Sequence, residues 1–191
     1  MHKFIILTII ISLLSPVLFA QTPLEIDQPT AEVNREIEAL YVAKKAYEDG
    51  FYEVALNLFQ RFLKNFPQSQ KIYEANLYIA QCYFYQNKFI DALTQLEKLS
   101  SEPNASALKD AILYWTGEVH FAGHDFSKAI SFYQRIIEEF PQSKLLAHAY
   151  YSRGWCLFEL GEYHRAMEDF GKVVRDFADS PIIQDAQFKN L

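Results

Sequence analysis

The sequence predicts an all-α fold in which one helix pair is repeated along a solenoid, and three recurring residue types carry this prediction. An alanine, an aromatic residue and a serine each return at intervals of 37 residues. The alanines are Ala55, Ala92, Ala129 and Ala166; the aromatic residues are Tyr52, Phe89, Phe126 and Tyr163; and the serines are Ser69, Ser106, Ser143 and Ser180. Self-similarity at a fixed period of this length indicates an array of one repeated structural unit.

Every unit has the same predicted order of elements. A first helix begins after the serine, whose side-chain oxygen can accept a hydrogen bond from the unpaired N–H groups of the first turn. It ends at a turn centred on Gly50, Asn87, His124 or Gly161, where a left-handed backbone is expected. Since histidine enters that conformation less readily than glycine, we expect Gly123 to take this role in the third unit. A second helix follows, with its alanine against the first helix, and a Phe-Pro pair or its equivalent ends it.

The helix pairs are predicted over residues 31–66, 69–103, 106–140 and 143–177, and a ninth helix over 180–191 completes an array that spans 31–191. In the second unit Glu102-Pro103-Asn104 replaces Phe-Pro-Gln, which predicts a less firmly packed loop. The ninth helix carries four large apolar residues, Ile182, Ile183, Phe188 and Leu191. Because an outermost helix needs a polar outer face, this helix is expected to pack on another surface or to belong to a longer array.

The first twenty residues have the layout of a secretory signal peptide. A short basic start at Lys3 is followed by an apolar run, and Ala20 provides a small residue at the expected cleavage point. The alternative, an uncleaved membrane anchor, is disfavoured because the apolar run is shorter than the ~20 residues of a spanning helix. Residue 21 is glutamine rather than cysteine, so no lipidation is predicted. Residues 21–30 contain two prolines and are predicted to be a linker.

Composition argues against several classes of function. The chain has 18 lysines and arginines against 24 aspartates and glutamates, a net charge of −6, and no basic cluster. Nucleic acids and anionic lipids bind to such clusters, so neither is a predicted partner. The sequence also lacks a glycine-rich phosphate loop, a nucleophile elbow and a paired-cysteine metal signature. We therefore predict no enzymatic activity, no cofactor and no small-molecule substrate.

Two pairs of residues raise the question of a metal site or a disulfide. His120 and His124 are four residues apart beside Glu118, but a zinc site needs a third ligand, and other units fill both histidine positions with other residue types. Cys82 and Cys156 share one repeat position two units apart, which places them on the order of 20 Å apart by helix spacing. A disulfide needs Cα atoms within about 7 Å. We predict no metal site and two core cysteines, with an intermolecular disulfide as the alternative.

The residue columns resemble those of the tetratricopeptide repeat. The third unit carries the expected series of small, aromatic, turn and proline residues, namely Gly117, His120, His124, Phe126, Ala129, Tyr133 and Pro141. The resemblance covers residues 31–191, although the period is 37 residues instead of the family's ~34. It implies a right-handed superhelix in which the first helix of each pair lines a concave groove.

Two features are similar to members of this family in the envelope of Gram-negative bacteria. Residues 113–120, followed by the segment Phe140-Pro141-Gln142-Ser143, resemble the C-terminal repeat domain of the Tol–Pal-associated periplasmic coordinator. The long F-P-x-S loops and the secretion signal also resemble BamD, the repeat lipoprotein of the outer-membrane β-barrel assembly machine. The resemblance implies a periplasmic location, an envelope protein or peptide segment as partner, and peripheral association with membrane complexes.

The resemblance also implies which residues line the groove. The predicted partner-binding residues are Tyr47, Leu77, Gln81, Phe84, Tyr114, Glu118, Phe121, Tyr151, Trp155 and Phe158. Monomers rarely expose apolar patches beyond a few hundred Å². Either these rings bury one another in a tight superhelix, or they form a groove for an extended or helical peptide. The lysine and asparagine clamp with which some relatives grip a terminal carboxylate is missing, which disfavours capture of a C-terminal tail.

The sequence therefore predicts a non-catalytic protein-interaction scaffold of the periplasm. The resemblance favours outer-membrane assembly or Tol–Pal-linked envelope maintenance as its setting. The alternative is a structural piece of a longer repeat protein, or an oligomer that docks through its terminal helix.

Overall fold

The computed structural model describes residues 31–177 and residue 180, and this part of the chain contains eight α-helices in four pairs. The helices are α1 (Ala31–Glu48), α2 (Tyr52–Asn65), α3 (Ile72–Tyr85), α4 (Phe89–Ser100), α5 (Lys109–Ala122), α6 (Phe126–Glu139), α7 (Leu146–Glu159) and α8 (Tyr163–Asp176). The predicted all-α solenoid of helix pairs is confirmed. The predicted signal peptide, the linker and residues 181–191 of the predicted ninth helix lie outside the described residues.

Small residues on both helices of a pair explain why the two helices pack closely. The alanines of the second helices are fully buried, as predicted; they are Ala55, Ala92, Ala129 and Ala166. Opposite them, the first helices of the third and fourth units carry Gly117 and Gly154. A Cβ added to Gly117 would lie 2.6 Å from Cε1 of Tyr133, and one added to Gly154 would lie 2.7 Å from Cε1 of Phe170. The close contact of α5 with α6, and of α7 with α8, therefore requires glycine at both positions.

The turn inside each pair has a left-handed residue at one fixed repeat position. The φ angles there are 79° at Gly50, 58° at Asn87, 59° at His124 and 78° at Gly161. The expectation that Gly123 replaces His124 in this role is wrong, because Gly123 has a φ of −81°. The hydrogen bonds of the turn fix its register: the N–H of His124 donates to Phe121 O, as the N–H of Gly161 donates to Phe158 O. Whatever residue stands at this position takes the left-handed conformation.

Ser69 and Ser143 do not cap the first helices that follow them directly, which corrects the prediction for these two serines. Helix α3 begins three residues after Ser69 and α7 begins three residues after Ser143. Each hydroxyl accepts a hydrogen bond from the N–H two residues ahead and donates to a carboxylate of the preceding first helix. Ser69 Oγ lies 2.6 Å from Glu36 Oε1, and Ser143 Oγ lies 2.5 Å from Asp110 Oδ2. The serines therefore join consecutive units.

The loop of the second unit is more ordered than the sequence suggests. A 3-10 helix, Pro103–Leu108, replaces the expected weakly packed loop and contains Ser106. It packs against α3, α4 and α5 and buries Ala105. The proline sits at the start of this helix, where its missing N–H is not needed.

Successive units stack so that the second helix of each of the first three units lies between two first helices. Helix α2 contacts α1 and α3, α4 contacts α3 and α5, and α6 contacts α5 and α7. The first helices α1, α3, α5 and α7 also contact one another in sequence. They therefore share one side of the array, which we call the inner face. Among the helices of the described residues, none has the length and apolar content that a membrane span requires.

Candidate partner-binding surface

Aromatic rings form a continuous chain along the inner face from α1 to α5. Tyr47 contacts Tyr85 with ring centroids 5.9 Å apart, and Tyr85 contacts Trp115 at 5.9 Å. Tyr52, at the start of α2, stacks on Tyr85 at 4.4 Å, and Trp115 continues the chain to Tyr114 at 5.8 Å. Each such pair contributes about 0.5–1.5 kcal/mol beyond its buried area. The rings are therefore held in a fixed arrangement.

A second aromatic cluster lies on α7. Trp155 is at its centre, with its ring centroid 6.3 Å from Tyr151, 5.7 Å from Phe158 and 6.0 Å from Phe170. Phe158 in turn contacts Tyr163 at 5.2 Å. Because Phe170 is buried in the core, the cluster rests on a rigid base.

The predicted partner-binding residues differ in their access to solvent. Phe158 is 44% exposed, whereas Leu77 and Gln81 are buried. Leu77 and Gln81 lie below the inner face and support it, which corrects their predicted role as contact residues. The other seven are half-buried: Tyr47, Phe84, Tyr114, Glu118, Phe121, Tyr151 and Trp155.

The aromatic positions therefore differ in exposure along the inner face, and their role in partner binding stays a prediction. The rings between α1 and α5 largely cover one another, while Tyr85 and Phe158 remain 43% and 44% exposed. Sequence reasoning missed Tyr85, because its repeat position holds Glu48, Ala122 and Glu159 in the other units. The available signal was its place four residues after Gln81, on the same face of α3.

Glu118 is the ionisable residue near the middle of the inner face. Its Oε1 accepts hydrogen bonds from the hydroxyl of Tyr133 at 2.8 Å and from the hydroxyl of Ser152 at 2.9 Å. Burial is the main cause, and the charge of Glu118 the second, that raises the pKa of Tyr114 and of Tyr133 above the usual 10. Both tyrosines therefore remain neutral donors. The glutamate joins α5 to α6 and α7 through these hydrogen bonds.

Lys44 contributes a positive charge that is compensated within the protein. Its Nζ forms an ion pair with Oε1 of Glu74 and lies 5.4 Å from the ring centroid of Tyr78. Burial acts to lower the pKa of Lys44, but the hydrogen bond and charge of Glu74 outweigh burial and raise it. This lysine is therefore engaged between α1 and α3.

A buried ion pair fixes α7, the helix that carries Trp155, against α8. Arg153 donates from Nε and Nη2 to the two carboxylate oxygens of Asp169 at 2.7 and 2.5 Å, and from Nη1 to Gln134 of α6. Its guanidinium carbon lies 5.4 Å from the ring centroid of Tyr150. Both charged side chains are almost fully enclosed. The pair holds three helices in register behind the aromatic cluster.

The two histidines considered as metal ligands take structural positions. His120 stacks on Phe132 with centroids 5.4 Å apart, and its Nδ1 lies 3.8 Å from Oδ2 of Asp125. His124 occupies the turn and contacts the ring of Phe126 at 5.6 Å. In the described part of the chain, no three His, Cys, Asp or Glu side chains are grouped as a metal site would require.

Comparison with protein families matches most of the described chain to one repeat. A family model described as tetratricopeptide repeat matches residues 43–100 and 79–144, and a second model with the same description matches residues 148–180. The matched segments include all three units whose residues define the inner face from α3 to α7.

Solved structures have the same fold at low sequence identity. A thermophilic tetratricopeptide repeat protein from Thermus thermophilus is 22% identical over 79% of this chain and 78% of that one, with a TM-score of 0.65. A tetratricopeptide repeat protein from Parabacteroides merdae is 18% identical over 81% and 58%, with a TM-score of 0.61. MamA from Desulfovibrio magneticus RS-1 is 17% identical over 76% and 77%, with a TM-score of 0.60. The TM-scores of these structures establish the fold, while membership of the predicted envelope branch stays a prediction.

Proposed function

This chain belongs to the tetratricopeptide repeat family, and on that premise we propose that it is a non-catalytic scaffold whose inner face holds a segment of a partner protein. One observation carries the proposal. Tyr85 and Phe158 expose large rings on the inner face, and each is supported by packed aromatic neighbours. Rigid, partly exposed aromatic side chains serve as anchors in protein interfaces, because they bury a large area and lose little conformational entropy on binding.

The proposal is tested by removing the two exposed rings one at a time. Tyr85→Ser and Phe158→Ser should each weaken partner binding at least ten-fold, while circular dichroism shows unchanged helix content. The control is Ile90→Ser on α4, because Ile90 is 82% exposed and lies on a second helix, away from the inner face. Equal binding by all three variants, measured by quantitative co-purification from the native cells, would contradict the proposal.

We further propose that the scaffold works in the periplasm and that its partner is an envelope protein. The predicted signal peptide over residues 1–20 and the F-P-x-S loops support this location. Outer-membrane assembly and Tol–Pal-linked maintenance are the two settings, each with peripheral association with a membrane complex. Mass spectrometry of the protein from fractionated cells should find it in the periplasmic fraction with Gln21 as its first residue. A cytoplasmic protein that retains Met1 would rule the location out.

A second candidate function, association between copies through α8, is favoured by two exposed residues. Tyr163 and Met167 are 58% and 53% exposed, whereas Leu56, at the repeat position of Met167, is buried beneath the following unit. Helix α1 is the less suitable end, because it carries exposed Glu38 and Lys45 where α3 buries alanine and cysteine. In this candidate the occupant of the α8 surface is a second copy. Light scattering should then give a dimer mass that Met167→Glu halves; a monomer at all concentrations would exclude it.

A further inference from the structure

Glu118 is a half-buried carboxylate with no lysine or arginine in ion-pair contact among the described residues. Taking a charge out of water is unfavourable unless an opposite charge compensates it. The hydroxyls of Tyr133 and Ser152 orient the carboxylate but carry no positive charge. The inner face thus holds an oriented anion whose charge is not neutralised within the array.

His148, one helix further along the inner face, is a second polar group that lacks a partner. Its Nδ1 is buried and has no hydrogen bond within the described residues. Its ring lies 6.1 Å from that of Tyr114. Burial lowers the pKa of His148 below 6.5, against the opposing effect of Glu118. At neutral pH the imidazole is therefore uncharged and does not neutralise Glu118.

The rest of the inner face has the same charge bias. Within the described residues, the inner face contains one lysine and no arginine. This count covers the repeat positions equivalent to residues 37, 40, 41, 44, 47 and 48. That lysine is Lys44, which is paired with Glu74. Two exposed glutamates stand at the ends of α1 and α7: Glu48, whose Oε2 lies 3.8 Å from Lys45 Nζ, and Glu159. The surface thus combines aromatic rings with carboxylates, which complements a positively charged ligand.

Aromatic rings near Glu118 are suited to contact such a ligand. Tyr114 lies one turn before Glu118 on α5, and its pKa is raised by burial and by the charge of the glutamate. The exposed Tyr85 is connected to Tyr114 through Trp115, whose ring centroid lies 5.9 Å from that of Tyr85 and 5.8 Å from that of Tyr114. A cation within about 6 Å of an aromatic ring face gains about 0.5–2 kcal/mol.

We infer that Glu118 is the anchor for an arginine or lysine side chain of the bound partner segment, an inference that rests on the proposed scaffold function. The cationic group pairs with the carboxylate and lies against Tyr85 and Tyr114. Apolar residues of the same segment contact Phe158.

The fold itself does not require a glutamate at this position. The equivalent residue is Lys44 in α1, Gln81 in α3 and Trp155 in α7. Glu118→Gln therefore makes the third unit resemble the second. The amide retains an oxygen acceptor for the hydroxyls of Tyr133 and Ser152 and removes only the charge.

The experiment first selects peptides that bind the inner face and then removes one charge, either that of Glu118 on the protein or that of the arginine on the peptide. A phage-displayed library of random 12-residue peptides is selected on the full mature chain, and binders are kept when Phe158→Ser or Tyr85→Ser weakens them. We expect these peptides to share an arginine or lysine flanked by apolar residues. Fluorescence anisotropy then measures each peptide against the parent chain, Glu118→Gln and the control Glu97→Gln, which removes an exposed carboxylate on the second helix α4, away from the inner face.

The expected result is a loss of ten-fold or more with Glu118→Gln, and less than two-fold with Glu97→Gln. Replacing the peptide's arginine by neutral citrulline should give the same loss on the parent chain, which keeps the test valid if Glu118→Gln is poorly folded. The inference would be overturned, and the scaffold function left standing, by peptides that depend on the rings but are neutral or acidic. Peptides whose affinity is unaffected by Glu118→Gln and by citrulline would have the same consequence. A selection that yields no ring-dependent binder would overturn both.

Discussion

Removing one partner of the buried Arg153–Asp169 pair should destabilise the fourth unit strongly. In Asp169→Ala the guanidinium loses both of its bidentate hydrogen bonds, at 2.7 and 2.5 Å, while its surroundings stay closed to water. Gln134 and Tyr150 remain as neutral neighbours and cannot neutralise the charge. The array then contains an uncompensated buried cation at the contact of α6, α7 and α8.

The size of the effect follows from the burial of the pair. Breaking a buried ion pair by removing one partner costs about 3–5 kcal/mol. Because Arg153 retains Gln134 and Tyr150, we expect the lower end, about 3 kcal/mol. For a chain of this length about 1 kcal/mol shifts the melting temperature by roughly 2–4 °C. The melting temperature should therefore fall by about 6–12 °C.

A double replacement separates the loss of the pair from the exposure of one charge. The first unit has Val42, which is 45% exposed, and Leu58 at the repeat positions of Arg153 and Asp169. Arg153→Val with Asp169→Leu therefore gives the fourth unit residue types that the first unit has at these positions, in a more enclosed setting. Well-packed apolar replacement of a buried pair is often neutral or stabilising. Urea unfolding followed by circular dichroism at 222 nm should show the single variant well below the double one. If Asp169→Ala lies within 1 kcal/mol of the parent, or both variants are equally weak, the reasoning is refuted.

Three further predictions concern single positions. His124→Gly should raise the free energy of unfolding by about 0.5–1 kcal/mol, measured by urea titration. A left-handed non-glycine residue costs about 1–2 kcal/mol, and the greater flexibility of glycine in the unfolded chain offsets about 0.4–1 kcal/mol of that gain. Burial lowers the pKa of His148 below 6.5, so the unfolded chain binds this proton at a higher pH than the folded chain does. His148 should therefore contribute its full stability above pH 6.5 and lose it as the pH falls through the folded-state pKa. In His148→Phe the melting temperature should depend less on pH between pH 7 and 5. Burial raises the pKa of the Cys82 and Cys156 thiols to about 12, so intact mass after iodoacetamide at pH 8 should show no adduct until urea unfolds the protein.

Each of these three predictions has an outcome that would contradict it, and the turn prediction also has a control variant. Gly123→Ala should be tolerated, since Gly123 has an ordinary φ and an added Cβ meets its nearest atoms at 3.5 Å; a gain there and none at His124 would contradict the turn assignment. A melting temperature that depends on pH as steeply in His148→Phe as in the parent chain would refute the burial effect. Rapid alkylation of the folded chain would show that the cysteines are not enclosed in the core.

The helix pairs were predictable because their signals repeat. A column of four alanines, all of them buried, marks the contact of the two helices in every unit, and repetition removes the ambiguity of a single position. The serine caps were not predictable from such columns. A serine before a helix fits both a cap and an inter-unit contact, and the choice for Ser69 depends on Glu36, 33 residues away. His124 failed for a similar reason, since turn hydrogen bonds and not residue preference decide which residue is left-handed.

The candidate site was predictable in its composition and less so in its exposure. Periodicity places Tyr114 and Leu77 in one column, yet packing buries Leu77 and leaves Tyr114 half-buried. The environment of Glu118 could not be anticipated, because Tyr133 reaches it from another helix and Ser152 from another unit. Residue types repeat along the chain, whereas the burial of each side chain depends on the residues that pack against it from neighbouring units.

In-cell photo-crosslinking from the inner face tests the central claim most directly. A photoreactive phenylalanine analogue replaces Phe158 in one strain, Tyr85 in a second, and the outer residue Ile90 in a third. We predict that positions 158 and 85 crosslink to the same partner polypeptide and that position 90 does not. Crosslinks from position 90 alone, or equally from all three positions, would contradict the assignment of the inner face as the binding surface.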